Sequence, residues 1–137
     1  MDLTVTSGAM ATLLAKSARA APEECCGLLL GAGARITEAM PAGNVAEDRL
    51  TRFEIDPMAL LAAHKAARAG GLQVLGYYHS HPAGHPVPSA TDCEHASGDA
   101  RVWAIVSGEE VGWWRDGEGG FVPAQVTVWD GDCPRGN

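Results

Sequence analysis

The chain has 137 residues, 46% hydrophobic and 20% charged, which excludes extended disorder and supplies enough apolar material for a core without disulfides. Ten basic against seventeen acidic residues give a formal net charge of −7, which argues against a general nucleic-acid binder and leaves a local basic patch open. No apolar run is long enough to cross a bilayer, and Met1–Thr6 lacks the basic-then-apolar plan of a signal peptide, so the expectation is a cytoplasmic protein without a membrane segment.

Residues 7–20 read as a helix, with Met10, Leu13, Leu14 and Ala18 on one face and Pro22 as its stop. The acidic pair Glu23-Glu24 then enters Cys25-Cys26-Gly27-Leu28-Leu29-Leu30-Gly31, a short apolar run with the character of an interior strand. Cys25 and Cys26, as neighbours on that strand, face opposite sides, and Cys26 reads as a small core residue. Cys93 and Cys133 complete a set with no Cys-x-x-Cys spacing, so reduced thiols are expected. A second strand is predicted over 34–40, a polar loop over 43–49 and a short strand over 52–55. Asp56 is a natural N-cap with Pro57 at the first helical position, which predicts a helix over 56–69 stopped by Gly70-Gly71. His64 lies in that helix without a partner motif and reads as a surface or boundary residue.

Residues 72–78 form an apolar, β-branched and aromatic run that reads as a buried strand leading into His79. The side-chain period of a strand is two, so His79 and His81 project to one face and one metal ion can take both. Pro82, Gly84, Pro86 and Pro88 then force the chain to turn, and a helix is predicted to begin with Ser89 as its N-cap. Asp92 falls on the first turn of that helix and can complete a His-His-carboxylate ligand set with an open position for water, as a catalytic zinc needs. Ser89-Ala90-Thr91-Asp92 also fits a capping box, which by itself asks nothing of the histidines. Glu24, at the mouth of its strand, is a candidate general base. His85 in the loop is read as solvent-exposed.

Strands are predicted over 101–106, 111–115 and 121–129, with Gly108 and Asp116–Gly120 as turns, and Trp103, Trp113 and Trp114 pack within or upon the sheet. Residues 130–137 read as a mobile tail. The predicted class is α/β, one domain over 1–129, with a mixed, mainly antiparallel sheet flanked by helices.

Glu24-Cys25-Cys26-Gly27, then His79-Ser80-His81-Pro82, then Pro88-Ser89-Ala90-Thr91-Asp92 together resemble the signature of the JAMM or MPN-plus (JAB/Mov34-type) metalloproteases. Asn44 and Phe53-Glu54-Ile55-Asp56-Pro57 followed by a helix are similar to short prokaryotic single-domain members. The resemblance implies an α/β sandwich in which His79, His81 and Asp92 hold one zinc ion, Glu24 is the general acid/base and Ser89 supports the oxyanion. It further implies a zinc metallopeptidase that hydrolyses an amide or isopeptide bond, with a ubiquitin-like or sulfur-carrier protein cut after its C-terminal Gly-Gly as substrate. Two other functions stay open: a non-catalytic MPN scaffold, and a zinc hydrolase acting on a small amide or in a DNA-associated role.

Overall fold

The computed structural model describes residues 3–129, and it begins with an element that is hard to read from sequence. Leu3–Thr6 is a four-residue strand, β1, whose alternation of Leu3 and Val5 with Thr4 and Thr6 is too short to register as a period. It runs directly into α1, Ser7–Ala20, where the Thr6 hydroxyl accepts the amide of Ala9 as N-cap. β2, Cys26–Ala32, and β3, Arg35–Ala42, form a hairpin whose tight turn places Gly33 at φ +61°, where a side chain would be strained.

α2 spans Pro57–Arg68 with Asp56 accepting the Met58 amide, as its Asp-Pro start predicts. β4 is Gln73–Ser80, α3 is Ala90–His95, and β5, Val102–Ser107, and β6, Glu110–Gly117, follow. The run predicted as one strand over 121–129 is in fact two, β7 (Gly120–Pro123) and β8 (Val126–Trp129), which pair with β6 and β1 respectively. Pro123 ends β7 because it has no amide to continue a ladder. The short strand predicted over 52–55 is a loop with a single bridge, Asn44 to Ile55.

The eight strands form one sheet in the order β7-β6-β5-β4-β2-β3-β1-β8, with β4/β5, β1/β3 and β1/β8 parallel and the other four pairs antiparallel. β7 and β8 stand at opposite edges although only Ala124 and Gln125 separate them. A link that short spans at most about 11 Å, so the sheet must curl until its edges approach. α1 packs on one face through Ala9 and Leu13, against Val5, Leu29, Ile36, Tyr78, Ala104 and Val106. α2 covers the other face, where Ala63 meets Leu28, Leu30 and Val74. No helix among the described residues is long and apolar enough to cross a membrane.

Asp116 and Gly117, expected in a turn, lie instead at the end of β6, paired with β7, and Asp116 carries a buried carboxyl group. Asp116 is 1% exposed, and its carboxylate accepts the amides of Ser97 at 2.9 Å and Gly98 at 3.0 Å, fixing the chain that follows α3. Asp116→Ala strands both amides and is expected to lower stability by about 2–4 kcal/mol. A urea-denaturation midpoint within error of the wild type would contradict that role.

Candidate active site

His79, fully buried, lies near the end of β4 between Cys26 of β2 and Ile105 of β5. The His81 amide donates to the Val106 carbonyl at 2.8 Å, so the chain stays extended one residue past the strand and both imidazoles keep to one face. Their Nε2 atoms are 3.1 Å apart.

The proline-rich turn that follows is tied down at three points. The Ser107 hydroxyl donates to the Gly84 carbonyl at 2.7 Å, the Trp114 indole donates to the Pro86 carbonyl at 3.0 Å, and the Gly84 amide donates to the His81 carbonyl at 3.2 Å. Gly112 allows this docking, since a Cβ there would lie 1.9 Å from the Pro86 oxygen. The turn delivers Ser89 to the start of α3, where a full capping box forms.

The capping box and the histidine cluster share one atom. Asp92 Oδ2 accepts the Ser89 amide at 2.9 Å and lies 3.1 Å from His79 Nε2 and 3.2 Å from His81 Nε2. The box therefore fixes the carboxylate that faces the imidazoles, so the two readings of Ser89 and Asp92 describe one arrangement. The Ser89 oxygen accepts the Asp92 amide at 3.0 Å, which leaves its own hydrogen free to donate.

Glu24, 8% exposed, brings a carboxylate oxygen within 4.8 Å of the ligand nitrogens of His79 and His81. Its amide donates to the Arg49 carbonyl at 2.7 Å, and the next amide, of Cys25, donates to the Ser80 hydroxyl at 2.9 Å. Ser80 points away from the histidines and is fully buried, so it ties the glutamate corner to the strand that carries them. Glu24, His81 and Ser89 line one open cleft of about 210 Å³, beside Leu50 and Thr51. Phe53 covers the other side, stacked on His79 at 4.2 Å between ring centroids, with Trp103 edge-on at 5.7 Å.

Burial holds the His79 imidazole neutral by lowering its pKa. Burial acts the same way on His81 but is outweighed by Asp92 and by the His85 carbonyl, so its pKa rises. That carbonyl accepts from His81 Nδ1 at 2.9 Å, which directs Nε2 towards Asp92. Burial opposes ionisation of Asp92, yet hydrogen bonds from both imidazoles and from Ser89 hold its carboxyl well below the ordinary range. Burial, opposed by His81 and reinforced by Asp92 and Asp48, pushes the Glu24 carboxyl up to about 7.

Three potential ligand atoms lie within 3.2 Å of one another, a spacing that hydrogen bonds satisfy in the metal-free protein and that one cation can occupy once both imidazoles are neutral. Tetrahedral zinc bonded at about 2.0–2.1 Å sets its ligand atoms about 3.3 Å apart, so two neutral imidazoles and one carboxylate at this spacing suit it in both chemistry and size. The structure thus brings all five predicted site residues to one place. It leaves the His85 side chain exposed, as expected, and uses only its carbonyl. His64 is half-buried on α2, and Cys25 and Cys26 face opposite sides. Cys133 and the segment read as a tail lie outside the described residues. Ser80, Asn44 and Phe53 complete the site without having been assigned roles from sequence. The legible signal for Ser80 was its place between the histidines, which puts its hydroxyl on the buried opposite face.

The family profile described as prokaryotic homologs of the JAB domain matches residues 6–116. The chain belongs to that family. The match includes every residue of the cluster, and it confirms the resemblance to JAMM/MPN proteins. This JAB-domain chain is 43% identical over 88 residues to a desampylase of Haloferax volcanii, covering 63% of each. It is 39% identical over 94 residues to a probable TtuB-protein conjugate cleaving protease of Thermus thermophilus, covering 69% of this chain and 63% of that one. The JAB-domain chain thus spans less than two thirds of the length of these curated relatives. A protein of Desulfitobacterium hafniense has the same fold, with a TM-score of 0.81 at 29% identity and 93% coverage of both chains.

Proposed function

We propose that this JAB-domain chain is a zinc-dependent isopeptidase that cuts a ubiquitin-like or sulfur-carrier protein after its C-terminal Gly-Gly. The observation that carries the reading is the meeting of Asp92, His79 and His81 within 3.2 Å beside the buried carboxyl group of Glu24. One zinc ion per chain, held by His79, His81 and Asp92, would supply Lewis acidity, acidifying a water and polarising a carbonyl.

Glu24 takes a proton from the attacking water and later returns it to the leaving amine. Its carboxyl is buried beside the histidines, within reach of a water at the site, and can move a proton in both directions. The free hydrogen of Ser89 donates to the substrate carbonyl oxygen as negative charge gathers on it, a contribution of about 3 kcal/mol in sites of this kind. Phe53 and Trp103 exclude water from the far side of His79. A thiol mechanism has no support, since burial pushes Cys26 up to about 12 and raises Cys25 as well.

The substrate class is supported by the relatives' names, a desampylase and a TtuB-conjugate cleaving protease. The test is incubation of the zinc-loaded protein with ubiquitin-like and sulfur-carrier proteins joined beyond Gly-Gly to a lysine or a short peptide. The proposal expects release of the carrier with a free Gly-Gly terminus, abolished by a chelator and restored by zinc. Intact conjugates across such a panel would contradict it.

A further inference from the structure

We propose that Asn44 is a positioning residue that locks the general base and the aromatic cover of the metal site into one unit. The proposal rests on the isopeptidase reading for its kinetic part only. The Asn44 side chain sits between the Glu24 corner and the 52–55 loop, and its amide uses its full hydrogen-bonding capacity. Nδ2 donates to the Glu24 carbonyl at 2.9 Å and to the Arg52 carbonyl at 3.2 Å. Oδ1 accepts the Ala46 amide at 3.1 Å and the Glu54 amide at 3.0 Å.

The partners on the loop are the residues immediately before and after Phe53. Phe53 is the ring that lies against His79, inclined by only 19°. One neutral amide therefore fixes the backbone of Glu24 and, on its other side, both flanks of the ring packed on a metal ligand. It also explains why residues 52–55 are not a strand. Their ladder groups are taken by a side chain, leaving the single Asn44 to Ile55 bridge. Two backbone bonds brace the clamp, Val45 to Glu54 and Asp56 to Gly43, both at 2.9 Å.

The chemistry selects asparagine. Aspartate has the same shape but no donor, so its oxygen would face the carbonyl oxygens of Glu24 and Arg52. Serine has one donor for two carbonyls, and alanine has none. Loss of the donors frees the Glu24 corner and lets Phe53 leave His79. A displacement of about 1 Å at a catalytic group costs about a hundredfold in rate.

The test uses Asn44→Ala and the isosteric Asn44→Asp, with Phe53→Leu as a reference. In NMR spectra of the metal-free protein, the stacked Phe53 ring shifts the His79 ring protons upfield. The expected result is loss of that shift in both Asn44 variants, matching Phe53→Leu, while the Leu13 methyl resonances in the α1 core keep their positions. In the zinc-loaded protein, kcat is expected to fall about ten- to a hundredfold with KM within twofold and zinc stoichiometry unchanged.

An unaltered His79 shift together with unaltered kcat in folded variants would overturn the proposal. Loss of the fold by both variants would overturn it too, because Asn44 would then be a structural residue. If the wild-type protein cleaves no conjugate, the NMR result still decides the positioning role separately from the isopeptidase reading.

Discussion

Glu24→Gln is expected to lower turnover by about 10²–10⁴-fold while zinc stays bound. Glutamine has the size of glutamate and can fill the same corner, whose backbone is held by Arg49, Asn44 and the Ser80 hydroxyl. It can neither accept the water proton nor return it. Paired kinetics and elemental analysis measure both halves, and turnover within threefold of wild type would remove Glu24 from the chemistry.

The same substitution has an opposite effect on stability. Burial raises the Glu24 carboxyl from 4.5 to about 7, so between those values the native state keeps a proton that the unfolded chain has released. Native stability therefore falls as pH rises through this window, and the full penalty is present above about pH 7. In chelator-treated protein, Glu24→Gln is expected to melt a few degrees higher than wild type at pH 8. At pH 4.5 the two should coincide. After allowance for solvent screening the gain is about 1–2 kcal/mol. The wild-type carboxylate thus costs the metal-free protein stability in order to keep a proton acceptor at the site.

Asp92→Ala is expected to abolish both zinc retention and cleavage, because it removes the only anionic member of the ligand triangle. It also removes half of the capping box of α3, for about 1 kcal/mol of stability. Asp92→Asn separates the two roles. Its amide oxygen can still accept from Ser89, so α3 should keep its thermal midpoint while zinc binding fails for want of charge. Zinc titration of the two variants beside their melting curves measures this, and stoichiometric zinc in Asp92→Ala would mean that Asp92 is no ligand.

The features legible in the sequence are those with local causes. A period of two put His79 and His81 on one face, prolines and glycine forced the turn, and Ser89 started a helix at the residue the cap requires. Asp56-Pro57 marked α2 for the same reason. Glu24 stood out at the mouth of its strand as a candidate base, and the family signature joined it to the histidines, because nothing within its own segment says that 55 residues later a histidine will lie opposite the cysteine two positions on.

The features that escaped depend on distant partners. Asn44 and Phe53 matter through Glu24 and His79, and neither side chain announces its partner. Asp116 sits in a stretch with the composition of an exposed turn, and only the amides of Ser97 and Gly98 make it a buried anchor. The division of residues 121–129 follows from the curl of the sheet, which hands the chain from one edge to the other. Both halves carry the same β-branched and aromatic signal, so propensity alone joins them.

The most direct test of the account is a crystal structure of the zinc-loaded protein with anomalous scattering recorded at the zinc edge. The account predicts one site per chain, bonded to His79 Nε2, His81 Nε2 and an Asp92 oxygen, with the Glu24 carboxylate uncoordinated. Glu24 also lies near enough to both histidines to act as a ligand. Zinc held by Glu24 in place of Asp92, or a site at Cys25 or Cys26, would contradict the assignment of ligands and base together.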